Sequence, residues 1–165
     1  MLLKIKSLIF NLYFFGKWKR IYISKNSSLK TQNICFGDNI FLDTNVEIRN
    51  RIKENSYIGS NVTINRNTVI RGKFEIGNDV MIGPNVLIIG VNHNFSEVTK
   101  LMRQQGVSAK GVKIGNNCWI GGNATILDGV EISDGCVVGG GCVVSKSIPK
   151  DSIVVGNPCR IIRKR

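Results

Sequence analysis

The sequence predicts an all-β chain folded as a parallel β-helix of hexapeptide repeats, with an extended loop near 90–112 and a short capping segment ahead of the coil. Three observations carry this. Ile or Val recurs every sixth residue at Ile34, Ile40, Val46, Ile52, Ile58, Ile64, Ile70, Ile76, Ile82 and Ile88, and again at Ile114, Ile120, Ile126, Ile132, Val138 and Val144. A second series, mostly small or β-branched, follows four residues after these positions: Val62, Thr68, Phe74, Val80 and Val86, then Cys118, Ala124, Val130, Cys136, Cys142 and Ile148. Glycine stands directly after the aliphatic residue at Gly59, Gly77, Gly83, Gly115, Gly121 and Gly139. Hairpin loops vary in length, so no ordinary sheet keeps a strict period of six over so many units, whereas a coil turning a corner every six residues does. Each hexad is then a short strand and a corner, and three hexads close one triangular coil. Stacked coils bury the aliphatic column that a single repeat cannot bury alone. The glycines are expected to supply relaxed torsions at the corners.

The elements divide the chain into a basic apolar start over 1–33, the coil over 34–148 with its inserted loop, and a basic tail over 149–165. The net charge of +12, from 23 Lys and Arg against 11 Asp and Glu, follows the same division. Lys4, Lys6, Lys17, Lys19, Arg20, Lys25 and Lys30 face no acid in the first thirty residues, and the last twenty carry six bases against Asp151. The body between them is neutral. Nucleic-acid readers spread their bases over a folded face, so no nucleic-acid partner is expected, and two local anionic partners fit the ends better.

The opening MLLKIKSLIFNLYFF is interrupted by Lys4, Lys6 and Asn11 and has no small-residue cleavage site, so it suits neither a signal peptide nor a spanning helix. Residues 1–23 interleave aromatic and aliphatic side chains with Lys and Arg. That pattern suits either a cap, for which a short helix is the usual solution, or a segment lying against anionic lipid. The five cysteines form no C-x-x-C pair, and their odd number argues for a reducing, cytoplasmic setting, with peripheral contact at the inner face of the membrane left open.

Between Ile88 and Ile114 the spacing is four hexads plus two residues, so the register breaks and a segment must leave the coil. Unrepetitive loops of this length are usually functional, and this one holds His93, the only histidine of the chain. Imidazole is the side chain that ordinarily titrates near neutrality and can accept a proton there. A lone loop histidine is more often a plain surface residue; its place at the register break favours a chemical role.

These hexads, the stretch GPNVLIIGVNHNF, the stretch VKIGNNCWIGGNATILDGVEISDGCVVGGGCVVSKSIP and the closing SIVVGNPCRIIRKR resemble the hexapeptide-repeat acyltransferases, over about residues 34–165. The resemblance is to the sugar O-acetyltransferase branch that includes galactoside, maltose and polysaccharide O-acetyltransferases. It implies a left-handed parallel β-helix, a homotrimer with active sites between subunits, and acetyl-CoA as co-substrate. It also implies that His93 is the general base that deprotonates a sugar hydroxyl, of a surface polysaccharide or its precursor. Trp119, Gly122 and Gly140 match positions along the pantetheine channel, and Ser145, Lys146, Arg160 and Arg163 match positions near the nucleotide end. Lys164 and Arg165 read equally well as a solvated tail.

On the acceptor side, Asn85, Asn92 and Asn94 are candidates for sugar contacts, although asparagine at a tight corner is equally explained by its tolerance of left-handed torsions. Glu97 is a candidate to orient His93. No metal is expected: the zinc carbonic anhydrases built on such a coil need three imidazoles, and Cys118, Cys136 and Cys142 fall on the inward series, where small buried hydrophobes explain them. Serine O-acetylation, amino-sugar N-acetylation and a non-catalytic scaffold are the remaining alternatives. The first normally brings a sizeable helical region ahead of the coil.

Overall fold

The computed structural model describes residues 8–14, 17–30 and 33–165. The first seven residues of the expected capping segment lie outside them. Three parallel sheets form the faces of a triangular prism. The first face stacks, in spatial order, Leu8–Phe14, Lys17–Ile23, Ile40–Leu42, Val62–Ile64, Met81–Ile82, Trp119–Ile120, Val137–Val138, Ser152–Val155 and Arg160–Lys164. The second stacks Ser28–Lys30, Glu47–Arg49, Val69–Gly72, Leu87–Gly90, Thr125–Ile126 and Val143–Val144. The third stacks Ile34–Phe36, Ser56–Ile58, Phe74–Ile76, Val112–Ile114 and Glu131–Ile132. The chain visits third, first and second face in turn, giving five complete coils between Ile34 and Val144.

Side chains alternate across each short strand, so the two inward series form the core and the residues between them face out. Ile64, Ile70, Ile82, Ile88, Ile120, Ile126 and Ile132 are wholly buried, as are Cys136, Cys142 and Ala124. One part of the sequence pattern is corrected. Ile40 stands beside Val62 and Leu42 beside Ile64, a step of 22 residues where later coils step by 18, or by 38 across the inserted loop. Ile34, Ile40 and Val46 therefore belong to the second inward series, and the first runs Phe36, Leu42, Ile48, Ile58. Four extra residues lie between Ile48 and Ile58. The two series are offset by four, so this insertion carries an uninterrupted six-residue count from one series into the other. Ile52 sits in the insertion, only half-buried.

The torsions are also distributed differently from expectation. Left-handed corner positions are held by Asn26, Asn45, Asn67, Asn85 and Asn123 between first and second faces, and by Asn39, Asn61, Asp79, Asn117 and Asp151 between third and first. Their amides form ladders: Asn45 donates to Asn67, Asn67 to Asn85 and Asn85 to Asn123, at 3.0 to 3.2 Å. The glycines after the aliphatic series serve close approach instead. A Cβ on Gly59 would lie 2.6 Å from the carbonyl carbon of Gly77 in the next coil.

The start of the chain is a strand hairpin, where a helix was the expected cap. Lys17–Ile23 pairs in parallel with Ile40–Leu42 and antiparallel with Leu8–Phe14. A helix would leave the edge groups of Ile40–Leu42 unpaired, whereas a strand satisfies them and extends the core with Ile21 and Ile23. Tyr22 stacks on Phe41 with ring centroids 4.9 Å apart. At the other end, Arg160–Lys164 folds back antiparallel on Ser152–Val155, so the same face is closed by a hairpin at both ends.

Burial pushes the thiols of Cys118 and Cys142 up from their ordinary value, since a thiolate there would lose its hydration. Alkylation of the native protein near neutral pH is therefore expected to modify Cys35 and Cys159, which are partly exposed. Cys118, Cys136 and Cys142 should react about a hundredfold or more slowly, on global unfolding only. Mass spectrometry of a labelling time course reads the order directly.

Candidate functional site

The inserted loop leaves the second face after Gly90 and rejoins the third at Val112. It is an arm with its own structure. Asn92–His93 pairs antiparallel with Val107–Ser108, and Met102–Gln104 forms a single 3-10 turn. Gln105 staples the tip: its amide nitrogen donates to the carbonyls of Glu97 and Lys100 at 2.8 and 2.9 Å, and its amide oxygen accepts from the Glu97 N–H at 3.0 Å. The returning end is held by Asp128, which accepts from the N–H groups of Lys110 and Gly111. Phe95, Val98, Leu101, Met102 and Val107 are all exposed, Val98 at 95%. The arm is thus ordered by its polar groups and presents its apolar ones outward.

His93 lies at the base of this arm with its ring exposed. The expectation that Glu97 orients it is corrected: the Glu97 carboxylate pairs with Lys100 at 2.9 Å, three residues away. Asn94 is committed to the arm, donating to the Gln105 carbonyl at 3.0 Å, while its own N–H donates to Gly106. Asn92 is exposed beside Ser108. Asn85 is engaged above and below in the asparagine ladder of the first corner.

The residues matched to the co-substrate fall on the two edges of the second face and on the first face. Gly122 and Gly140 stack at the corner between first and second faces, above Pro84; a Cβ on Gly140 would meet the Gly122 carbonyl at 3.2 Å. Without side chains, that corner is a trough against which a narrow chain can lie. Trp119 stands beside it on the outer surface of the first face, half exposed, with Met81 and Val137 as register neighbours. Ser145 and Lys146 follow Val143–Val144 at the corner between second and third faces, the edge from which the His93 arm departs two coils lower. Arg160 and Arg163 lie exposed on the terminal strand. Lys164 and Arg165 are pinned to their own chain, Lys164 bonding Ser152 Oγ at 3.2 Å and Arg165 reaching the carbonyls of Asn117 and Gly135.

No hydrogen bond or ion pair joins His93 to Trp119, Gly122 or Gly140 among the described residues. The second face, roughly 10 Å across for strands of three residues, separates the two groups. An open groove of about 610 Å³ on the third face, lined by Tyr57, Glu75, Lys113, Glu131 and Lys150 among others, contains none of the candidate residues. Gln105 escaped sequence reading because a side chain bonding the backbone of its own loop leaves no periodic trace.

The family described as Bacterial transferase hexapeptide (six repeats) matches residues 55–90 and 111–146, stopping and resuming where the arm leaves and rejoins the coil. The galactoside O-acetyltransferase of Escherichia coli is 34% identical over 142 residues, 85% of this chain and 68% of that protein. The chain spans little more than half of several other curated relatives, 54% of the Lactococcus lactis galactoside O-acetyltransferase among them. Among solved structures, a maltose O-acetyltransferase from Clostridium difficile superposes with a TM-score of 0.72 at 37% identity, covering 81% of this chain and 71% of that one. An N-acyltransferase from Bacillus cereus in complex with dTDP and coenzyme A gives a TM-score of 0.77 at 25% identity, over 89% and 82% of the two chains. A hexapeptide-repeat acetyltransferase from Vibrio cholerae complexed with acetyl-CoA gives 0.69 at 27%, over 80% and 70%. With its coil, its interrupting arm and these likenesses, the chain belongs to the left-handed β-helix, hexapeptide-repeat acetyltransferases, in the branch of the galactoside and maltose O-acetyltransferases.

Proposed function

We propose that the protein transfers the acetyl group of acetyl-CoA to a hydroxyl of a sugar, in a surface polysaccharide or its precursor, with His93 as general base. The observation that carries this reading is the single histidine at the base of an arm that interrupts the family's repeats, in a chain aligned with galactoside O-acetyltransferase over 142 residues. A ring nitrogen of His93 takes the proton of the acceptor hydroxyl as its oxygen attacks the thioester carbon. The C–S bond then breaks, the acetyl ester forms, and the proton passes from the imidazolium to the departing thiolate. The glycine trough, Trp119, Ser145, Lys146, Arg160 and Arg163 would hold the pantetheine and phosphates of the co-substrate.

In this reading the protein is a homotrimer. The outward apolar residues of the arm support it, since a second copy would cover them and bring His93 of one chain to the trough of the next. It works in the cytoplasm, where acetyl-CoA is available, and the basic apolar start touches lipid if the acceptor is lipid-linked.

Calorimetric titration with acetyl-CoA, followed by incubation with a panel of sugars and mass analysis, tests the proposal. Saturable binding and an alkali-labile acetyl product are expected, and no binding at millimolar co-substrate would sink it. The 25% identity to an N-acyltransferase keeps one second reading. Amino sugars in the panel, giving an alkali-stable amide, would establish that reading in place of the ester.

A further inference from the structure

The corner between second and third faces carries a charge arrangement, in the two coils beneath His93, that neither the core nor the acetyl-transfer machinery uses. Arg49 and Arg71 lie at the C-terminal ends of successive strands of the second face and are register neighbours, so their backbones stand one coil apart, roughly 4.8 Å. Like charges placed opposite one another cost stability. One acid answers them both: Glu47 Oε1 lies 3.0 Å from Arg71 and 3.8 Å from Arg49. Arg49 Nε is buried without a hydrogen-bond partner, and an unmet charged donor of this kind costs further.

The four-residue insertion lies at the same corner. Asn50 shapes it, donating to the Glu54 carbonyl at 2.7 Å and to Ser56 at 3.0 Å and accepting from the Ile52 N–H at 2.8 Å. The knuckle this makes exposes Arg51 and Lys53. The nearby acid, Glu54, is taken by Lys73. Arg49 and Arg71 thus share one carboxylate, and among the described residues Arg51 and Lys53 make no ion pair, inside a body whose overall charge is zero. The next register position above Arg71 is Ile89, four residues before His93.

We propose that Arg49, Arg71, Arg51 and Lys53 form an anion site for a phosphate or pyrophosphate carried by the acceptor sugar. The site holds the charged end of the acceptor below His93 and presents its hydroxyls upward to the arm. Paired guanidinium groups match phosphate oxygens two at a time, and an oxyanion bound to their outward nitrogens would relieve their repulsion. The acceptor's use depends on acetyl transfer at His93, whereas binding of the anion does not. Phosphate reaches a sugar through a nucleotide or a lipid carrier, and the chemistry recognised here is common to both.

The test is calorimetric titration with inorganic pyrophosphate in the presence of saturating CoA, which occupies the nucleotide end of the co-substrate site. Wild-type protein is expected to bind, and Arg71→Gln to bind about tenfold more weakly, the loss of one charge-assisted contact. Because Arg71 also bonds Glu47, the exposed pair Arg51→Gln with Lys53→Gln provides a second variant that leaves the strands untouched. Unchanged thermal midpoints show that each variant is folded. No pyrophosphate binding by wild type, or equal binding by wild type and both variants, overturns the site. Absence of CoA binding would sink the acetyl-transfer reading alone, since the difference between wild type and variants is read either way. Geranyl diphosphate binding tighter than pyrophosphate supports the site with a lipid-carried acceptor, and tighter uridine diphosphate binding supports it with a nucleotide-carried one.

Discussion

Replacing His93 by alanine is expected to lower acetyl transfer by about two to four orders of magnitude while acetyl-CoA affinity stays within about twofold. The ring is exposed at the base of the arm, and its backbone, paired with Val107, is indifferent to the side chain. Folding stability should therefore change by no more than about 0.5 kcal/mol. The separation of effects follows from position. In the proposed reading the glycine trough and Trp119 hold the co-substrate, so losing the imidazole removes proton acceptance without removing the contacts that bind acetyl-CoA. Single-turnover rates with a competent acceptor, alongside calorimetry with acetyl-CoA, resolve the two. Unchanged turnover would move the base elsewhere, and since the chain has no second histidine, the next candidate would be a carboxylate. A loss of acetyl-CoA binding equal to the loss of rate would make His93 a binding residue. Glu97→Ala should leave the rate near wild type, because its carboxylate is bound to Lys100 and not to the imidazole.

The fold was legible because its repeat is physical: one corner every six residues puts every inward side chain in phase, and the phase survives along the chain as Ile64, Ile70, Ile76, Ile82 and Ile88. The arm was legible for the converse reason, as the place where that phase fails. Features defined between coils were harder to see. The four-residue insertion between Ile48 and Ile58 hid behind two series offset by four, and one trace of it is that Gly37 follows Phe36 where an unbroken count from Ile34 would put glycine at position 35. The asparagine ladder reads as corner propensity in sequence, yet Asn85 owes its place equally to the amides above and below it. Residues 1–23 interleave apolar and basic side chains in a way that fits a lipid-facing segment or a cap, and the cap is a strand because Lys17–Ile23 pairs with the edge of Ile40–Leu42. The proposed anion site was invisible to charge counting because Arg71 lies 22 residues from Arg49 in sequence, within a neutral average, and is its neighbour only through the stack.

Substituting Gly59 by alanine is expected to be strongly destabilising for a single added methyl, at about 3 kcal/mol or more. The new Cβ would stand 2.6 Å from both the carbonyl carbon and oxygen of Gly77 and 2.7 Å from Asn78 Oδ1, against an ordinary carbon contact near 3.5 Å. Neither neighbour can yield cheaply. The Gly77 carbonyl belongs to a backbone whose spacing is set by bonds such as Gly59 N–H to the Ile76 carbonyl at 2.8 Å, and Asn78 Oδ1 accepts from the Ser60 N–H at 2.8 Å. Relief requires the coils to part locally, and the strain passes upward because Gly77 is itself stacked beneath Gly115. Gly106→Ala is the control that separates space from torsion. Gly106 lies in the arm beside Asn94, with φ near +75° and nothing within 4 Å of its would-be Cβ. It should therefore cost only the left-handed strain, about 1 to 2 kcal/mol. Chemical denaturation of both variants at one protomer concentration compares them without interference from assembly. If Gly59→Ala costs no more than Gly106→Ala, the close stacking of coils is not what selects these glycines.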